Sequence, residues 1–239
     1  MGVNIVNIEE RAEARFEQIR ENALKGNEGA DFSAPPEGWC LATIARVAVN
    51  APKLLETLKK IQDNIKSECD VFLYDEKSFH VSLLGCSQRE PESPINDKAR
   101  VEKVQNVVSE TLRDHAPVDM RLGRLNLLRN QFFLEVYLKD EEWPGIRSAL
   151  AESLLGIGED PIVYSDKEPV HLNLARLTAP CSAETVARLI GSPDNDAATS
   201  LSISTVELVV TDFVVTPETL AVVEAFRLWY NVTFLTYCD

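Results

Sequence analysis

The sequence predicts an α+β fold built twice: two lobes with antiparallel-rich sheets, flanked by helices, around a central groove. Two observations carry this. The segments Phe79-His80-Val81-Ser82-Leu83-Leu84 and Val170-His171-Leu172-Asn173-Leu174-Ala175-Arg176-Leu177 are near-copies, one in each half of the chain. The elements leading into each follow the same order, a strand and a helix and then a short strand before the histidine strand. The copies lie 91 residues apart, from His80 to His171, far beyond the period of a solenoid repeat. A pseudo-twofold axis between two such lobes brings the histidine strands together across a groove.

Read in order, residues 7–25 are rich in Glu, Arg and Ala and predict an exposed helix. Residues 26–38 hold three Gly and two Pro and predict a linker. Residues 1–38 are thus set apart from a main domain at 39–239, with lobes near 39–116 and 117–239. Residues 39–49 alternate as a strand. Leu54, Leu55, Leu58, Ile61 and Ile65 form a helical stripe over 51–67. Strands at 71–74 and 78–85, a polar loop at 88–97 and a helix at 95–113 follow. A hairpin over 120–128 and 132–139 turns at Arg129-Asn130-Gln131. A helix over 141–155 ends at Gly156-Ile157-Gly158, a glycine stop. The second histidine strand spans 170–178, and Ser182 caps a helix to residue 190. A loop at 191–199, a long strand at 203–215, a turn at Thr216-Pro217 and a strand-like stretch at 222–228 complete the chain.

Composition narrows the function. The 239 residues are 45% hydrophobic and 26% charged, enough for a substantial core. A net charge of −14 opposes binding along long duplex nucleic acid, which needs many Lys and Arg contacts to phosphate. A nucleotide or a nucleic-acid end needs only a few local charges. The five cysteines are scattered, with no Cys-x-x-Cys pair or zinc spacing, and read as reduced thiols in the cytoplasm or nucleus. No apolar run suits a membrane span, and the start of the chain does not read as a signal peptide. The sequon Asn231-Val232-Thr233 carries no weight without one. The helix within residues 1–38 reads as a packing element or an interaction arm, and any protein partner it has is unknown.

Side chains two apart on a strand share a face. His80 therefore sits beside Ser82 and His171 beside Asn173, while Phe79, Val81, Leu83 and Val170, Leu172, Leu174 turn to the core. Two of the chain's three histidines occupy this repeated setting. Imidazoles on opposite sides of one site form an acid–base couple. Displacement at phosphorus needs that arrangement, because attack and departure are in line. Ser82 and Asn173 are the candidate phosphate-holding residues. The residues around the histidines lack a metal-ligand pattern, and the chemistry calls for neither metal nor cofactor. His115 reads as a surface or helix-end histidine. Arg176, five residues beyond His171, falls on the opposite strand face; Arg121, Arg124 and Arg129 each read as solvated strand ends, and together as a source of local positive potential in an acidic chain. In the hairpin, Phe132, Leu134, Val136 and Leu138 read as core. Phe133, Glu135 and Tyr137 form the other face, where Phe133 or Tyr137 is a candidate base-stacking ring.

FHVSLLG and VHLNLARL resemble the paired His-x-Thr/Ser motifs of the two-histidine (2H) phosphoesterase superfamily, which includes 2′–5′ RNA ligase-like proteins and 2′,3′-cyclic phosphodiesterases. The resemblance spans about residues 39–228. It implies a bilobal fold and metal-independent cleavage of a 2′,3′-cyclic phosphate, a 2′–5′ linkage or an RNA end. His80 and His171 would then be catalytic, and Ser82 and Asn173 phosphate-binding. The chain departs from the pattern at Asn173, where the family usually has Thr or Ser, and at Val170, where it usually has Pro. A non-catalytic nucleotide- or RNA-end-binding module on the same fold is the alternative.

Overall fold

A computed structural model describes residues 8–26, 32, 37–162, 169–212, 215–216 and 218–229. Most of the expected linker, Pro217, the sequon at 231–233 and Cys238 lie outside the described residues. The elements are α1 (Ile8–Ala23), β1 (Trp39–Arg46), α2 (Val47–Asn50), α3 (Leu55–Glu68), β2 (Val71–Leu73), β3 (His80–Gly85), α4 (Lys98–Leu112), β4 (Val118–Leu128), β5 (Gln131–Leu138), α5 (Glu142–Gly156), β6 (His171–Leu177), α6 (Ala183–Gly191), β7 (Asp196–Ile203), β8 (Thr205–Asp212) and β9 (Ala221–Arg227). The fold is α+β, and all named strand pairs are antiparallel.

A four-stranded sheet runs β3-β1-β8-β9 and a five-stranded one β2-β6-β5-β4-β7. Counted from the histidine strand, β3-β1-β8-β9 repeats as β6-β5-β4-β7, which is the duplication read from the sequence. The two sheets do not divide the chain at residue 116. Strands β8 and β9, late in the chain, complete the sheet of His80. The short strand before each histidine strand crosses over. Strand β2 pairs with β6, Val71 opposite Leu177, and Ile162 bridges to Gly85 of β3 through a 2.8 Å amide bond. Gly85 suits this close approach, since a Cβ there would lie 3.0 Å from the Ile162 Cβ.

Alternation predicts the core well. Val81, Leu83, Leu172, Leu174, Phe132, Leu134 and Val136 are all buried, and with Leu58, Ile61 and Ile65 of α3 they join one apolar cluster. Four readings need correction. Strand β1 stops at Arg46, and residues 47–50 turn helical. Residues 196–199 are part of strand β7 rather than loop. This edge strand is small and polar, so it lacks an apolar rhythm until Leu201, and pairing with β4 defines it. Cys69 and Cys181 form a disulfide between the end of α3 and the approach to α6, their Cα atoms 6.1 Å apart, while Cys40 and Cys86 are free. A pair 112 residues apart leaves no spacing signal in the sequence.

The fourth correction concerns α1, which is not wholly exposed. Ala12, Phe16, Ile19 and Ala23 recur at helical spacing, and Phe16 and Ile19 pack on Phe133 and Tyr137 of β5. No helix among the described residues is long and apolar enough to cross a membrane.

Candidate functional site

Each histidine stands at the first position of its strand, and the strands β3 and β6 touch although they belong to different sheets. The local geometry is repeated. His80 Nδ1 donates to the carbonyl of Ser78 at 2.7 Å, and His171 Nδ1 to that of Pro169 at 3.0 Å. A carbonyl only accepts, so this bond fixes the neutral tautomer and leaves Nε2 as the basic nitrogen. His80 Nε2 meets Ser82 Oγ at 3.1 Å.

Both histidine strands also carry a bulge at the same place. In β3 the register passes from Ser82 opposite Ile44 to Leu84 opposite Thr43, leaving Leu83 extra. In β6 it passes from Asn173 opposite Phe133 to Ala175 opposite Phe132, leaving Leu174 extra. A bulge turns the rest of a strand over. Its outcome is visible in burial, because Leu174 and Ala175 are both buried and Arg176 returns to the more open face. Arg176 thus shares the side of His171 and Asn173, contrary to simple alternation.

The bulged carbonyls are held by side chains from corresponding helices of opposite halves. Gln62 of α3 donates to Leu174 O at 2.7 Å and to Tyr74 O at 2.8 Å. Arg147 of α5 donates from Nε to Leu83 O at 2.8 Å. Each half therefore braces the histidine strand of the other. Neither residue stood out in the sequence, since a polar residue on a helix carries no mark of what it reaches.

The charges beside the histidines differ. Opposite His80 in the ladder is Arg46, which binds Glu207 through two bonds of 2.6 Å. Opposite His171 is Glu135, fully buried, which accepts from Arg20 at 2.5 Å, Asn126 at 2.9 Å and the Tyr137 hydroxyl at 2.8 Å. Burial pushes the His80 imidazole below its ordinary value of 6.5. The Ser78 carbonyl opposes this, and positive charge on His171 and on Arg46 adds to it. Burial, and then the bond to Glu135, push the Tyr137 hydroxyl up.

Asn173 departs most from its counterpart. Its Oδ1 is buried and has no hydrogen-bond partner among the described residues. A buried polar atom left unpaired costs about 1–3 kcal/mol, and an amide can turn to offer either an acceptor or two N–H donors. Such a group beside a histidine is suited to meet a ligand.

The expected base-stacking rings are not open. Phe133 and Tyr137 are 2% and 4% exposed, and Phe16 of α1 lies on both, with ring centroids 6.2 and 5.2 Å away. Phe133 instead meets the His171 ring edge-on at 5.3 Å. Arg121 and Arg124 pair with Glu9 and Glu17 of α1, and Arg129 takes the left-handed turn of the hairpin at φ 58°. His115 binds Glu142 at 2.7 Å. One sequence signal for the α1 contact existed: Glu135 in the run FFLEVYL is a charge inside an apolar strand, and a buried charge needs a partner.

No protein-family model and no curated protein matches the chain. Its structure is similar to that of TT0787 of Thermus thermophilus, at 14% identity over 79% of this chain and 97% of that one, TM-score 0.56. It is also similar to E. coli LigT in its apo form, at 9% identity over 81% and 99%, TM-score 0.52. A third similar structure is described as a phosphoesterase, at 12% identity over 81% and 99%, TM-score 0.50. Strand order and these likenesses agree: the chain shares the duplicated α+β fold of these structures.

Proposed function

We propose that the chain is a phosphodiesterase that opens a 2′,3′-cyclic phosphate, or cleaves a 2′–5′ linkage or an RNA end, by paired-histidine acid–base catalysis. His80 and His171 are its catalytic residues, and Ser82 and Asn173 hold the phosphate. The observation that carries this reading is the repeated histidine geometry, in which Nδ1 is tied to the carbonyl two residues back and Nε2 is the basic nitrogen.

In the proposed reaction, one Nε2 takes a proton from water as its oxygen bonds to phosphorus. The bond from phosphorus to the departing ribose oxygen breaks, and the other imidazolium protonates that oxygen. His80 suits the base, because its surroundings disfavour the protonated form. His171 is then left the role of the acid. Donors from Ser82 and Asn173 meet the charge that builds on the non-bridging oxygens. The imidazoles supply the proton transfers themselves, so the scheme uses no metal and no cofactor, and chelators leave the rate unchanged. The substrate is a nucleotide or RNA end, which needs only a few local positive charges, rather than long duplex nucleic acid, which a net charge of −14 opposes.

The test is a panel of 2′,3′-cyclic nucleotides, 2′–5′ linked dinucleotides and RNA ending in a cyclic phosphate. At least one is turned over, and His80→Ala and His171→Ala each lower the rate by about 10²–10⁴. Full activity in both variants contradicts the mechanism. The departure at Asn173 favours a second reading, a binding module that has lost turnover. A large gain of activity in Asn173→Thr supports that reading, and little change supports a competent enzyme.

A further inference from the structure

The side of β5 nearest His171 is already occupied. Phe133 and Glu135 lie opposite Asn173 and His171 in the ladder, so all four side chains share one face. On that face Phe16 is fully buried against Phe133 and Tyr137. A single ring, Phe133, stands between Phe16 and the His171 imidazole.

The helix carrying Phe16 is fastened at several points along its length. Arg20 pairs with the buried carboxylate of Glu135, the Asn126 amide donates to the carbonyl of Phe16 at 3.1 Å, and Arg121 pairs with Glu9. Arg20 and Glu135 are 12% and 0% exposed. Lifting α1 would take the Arg20 cation away from a buried carboxylate, which is unfavourable. These contacts describe a fixed wall rather than a lid.

Aromatic rings beside a phosphate site offer a nucleobase a stacking surface. Here that surface is filled by the chain's own phenylalanine. We infer that Phe16 is a specificity-determining residue: it takes the place of a base on β5, so the site selects phosphodiesters by phosphate and sugar, with the base unread. This rests on the proposal that the phosphate sits at His80 and His171.

Calorimetric titration of the full chain with inorganic phosphate, ribose 3-phosphate and the four nucleoside 3′-monophosphates tests it. Phosphate binding checks the underlying reading separately, and if none of these ligands binds, that reading fails and this one with it. With phosphate bound, the inference expects ribose 3-phosphate and all four nucleotides to bind within about threefold of one another. A wild-type preference of about tenfold or more for any nucleotide over ribose 3-phosphate, on the scale of one base–aromatic stack, overturns it. In Phe16→Ala the rings of β5 open, and purine 3′-monophosphates are expected to gain about tenfold over ribose 3-phosphate. A folded Phe16→Ala protein without that gain overturns the role of Phe16. Should the variant fail to fold, the wild-type ratios still decide.

Discussion

The two histidine strands share a backbone plan and differ in what surrounds it. Both begin with the histidine, tie Nδ1 to a carbonyl two residues back and bulge three residues later. Both are braced at the bulge by a helix from the other half. Around His80, however, the ladder neighbour is a cation paired with Glu207, and Ile44, opposite Ser82, packs with Val209 and Val215 of the same sheet and its β8–β9 connection. Around His171 the neighbour is a buried anion, and the cover is α1 from the start of the chain. A duplicated backbone thus fixes where two imidazoles stand, and unduplicated side chains give them different surroundings.

The largest effect expected from breaking this comparison is on turnover. Loss of either imidazole costs about 10²–10⁴ in rate, the usual worth of general acid–base catalysis. The pair acts as a unit, so the double variant should fall little further than the worse single one. Strictly multiplicative losses in kcat would contradict a shared step.

The second largest is on stability. Glu135→Ala takes the buried partner from Arg20, 12% exposed, leaving it Glu17 alone, and removes the acceptor of Asn126 and Tyr137, so unfolding in urea should register a loss of about 3–5 kcal/mol. Glu207→Ala strands Arg46, which at 18% exposed reaches water more readily, and should cost less. The reverse order would show that α1 is not anchored through Glu135.

Next comes phosphate holding. Asn173→Ala removes a group whose Oδ1 has no protein partner among the described residues, so the fold should keep its stability. The rate constant kcat should drop by about 10²–10³, as for loss of one oxyanion donor. Unchanged kcat would assign the phosphate to the His80 side alone. Smaller still is the brace at the bulge. Gln62→Leu leaves the Leu174 and Tyr74 carbonyls short of a donor and should cost about 1–3 kcal/mol in denaturant unfolding.

The smallest effect is on the pH profile. A base must be neutral, and burial with nearby positive charge disfavours protonated His80. Activity should therefore persist as pH falls to 6.5 and decline only below it, through the lowered value. An acid limb of kcat/KM with its midpoint at or above 6.5 would remove His80 from the role of base.

Much of this plan was legible in the sequence. Alternation around His80 and His171 identified the strands, their buried faces and the polar partners Ser82 and Asn173, because a period of two follows directly from strand geometry. The bulges were not legible. Leu83-Leu84 and Leu174-Ala175 are apolar pairs that read equally well as plain core, so Arg176 was assigned to the wrong face. Strand β7 lacks the apolar rhythm that marks a strand, and it exists through pairing with β4. The seat of α1 depended on a stripe of only Ala12, Phe16, Ile19 and Ala23 amid many charges. The covering of Phe133 and Tyr137 is hidden for the same reason: alternation places both rings on the face of His171, and the weak stripe of α1 gives no sign that Phe16 fills it.

Titration with inorganic phosphate, followed through the imidazole NMR resonances of His80 and His171, tests most directly whether the two strands serve one site. Both resonances should move together along one saturation curve, and substitution of either histidine should weaken the response of the other. Movement of one ring alone, or two unrelated curves, would contradict a shared site.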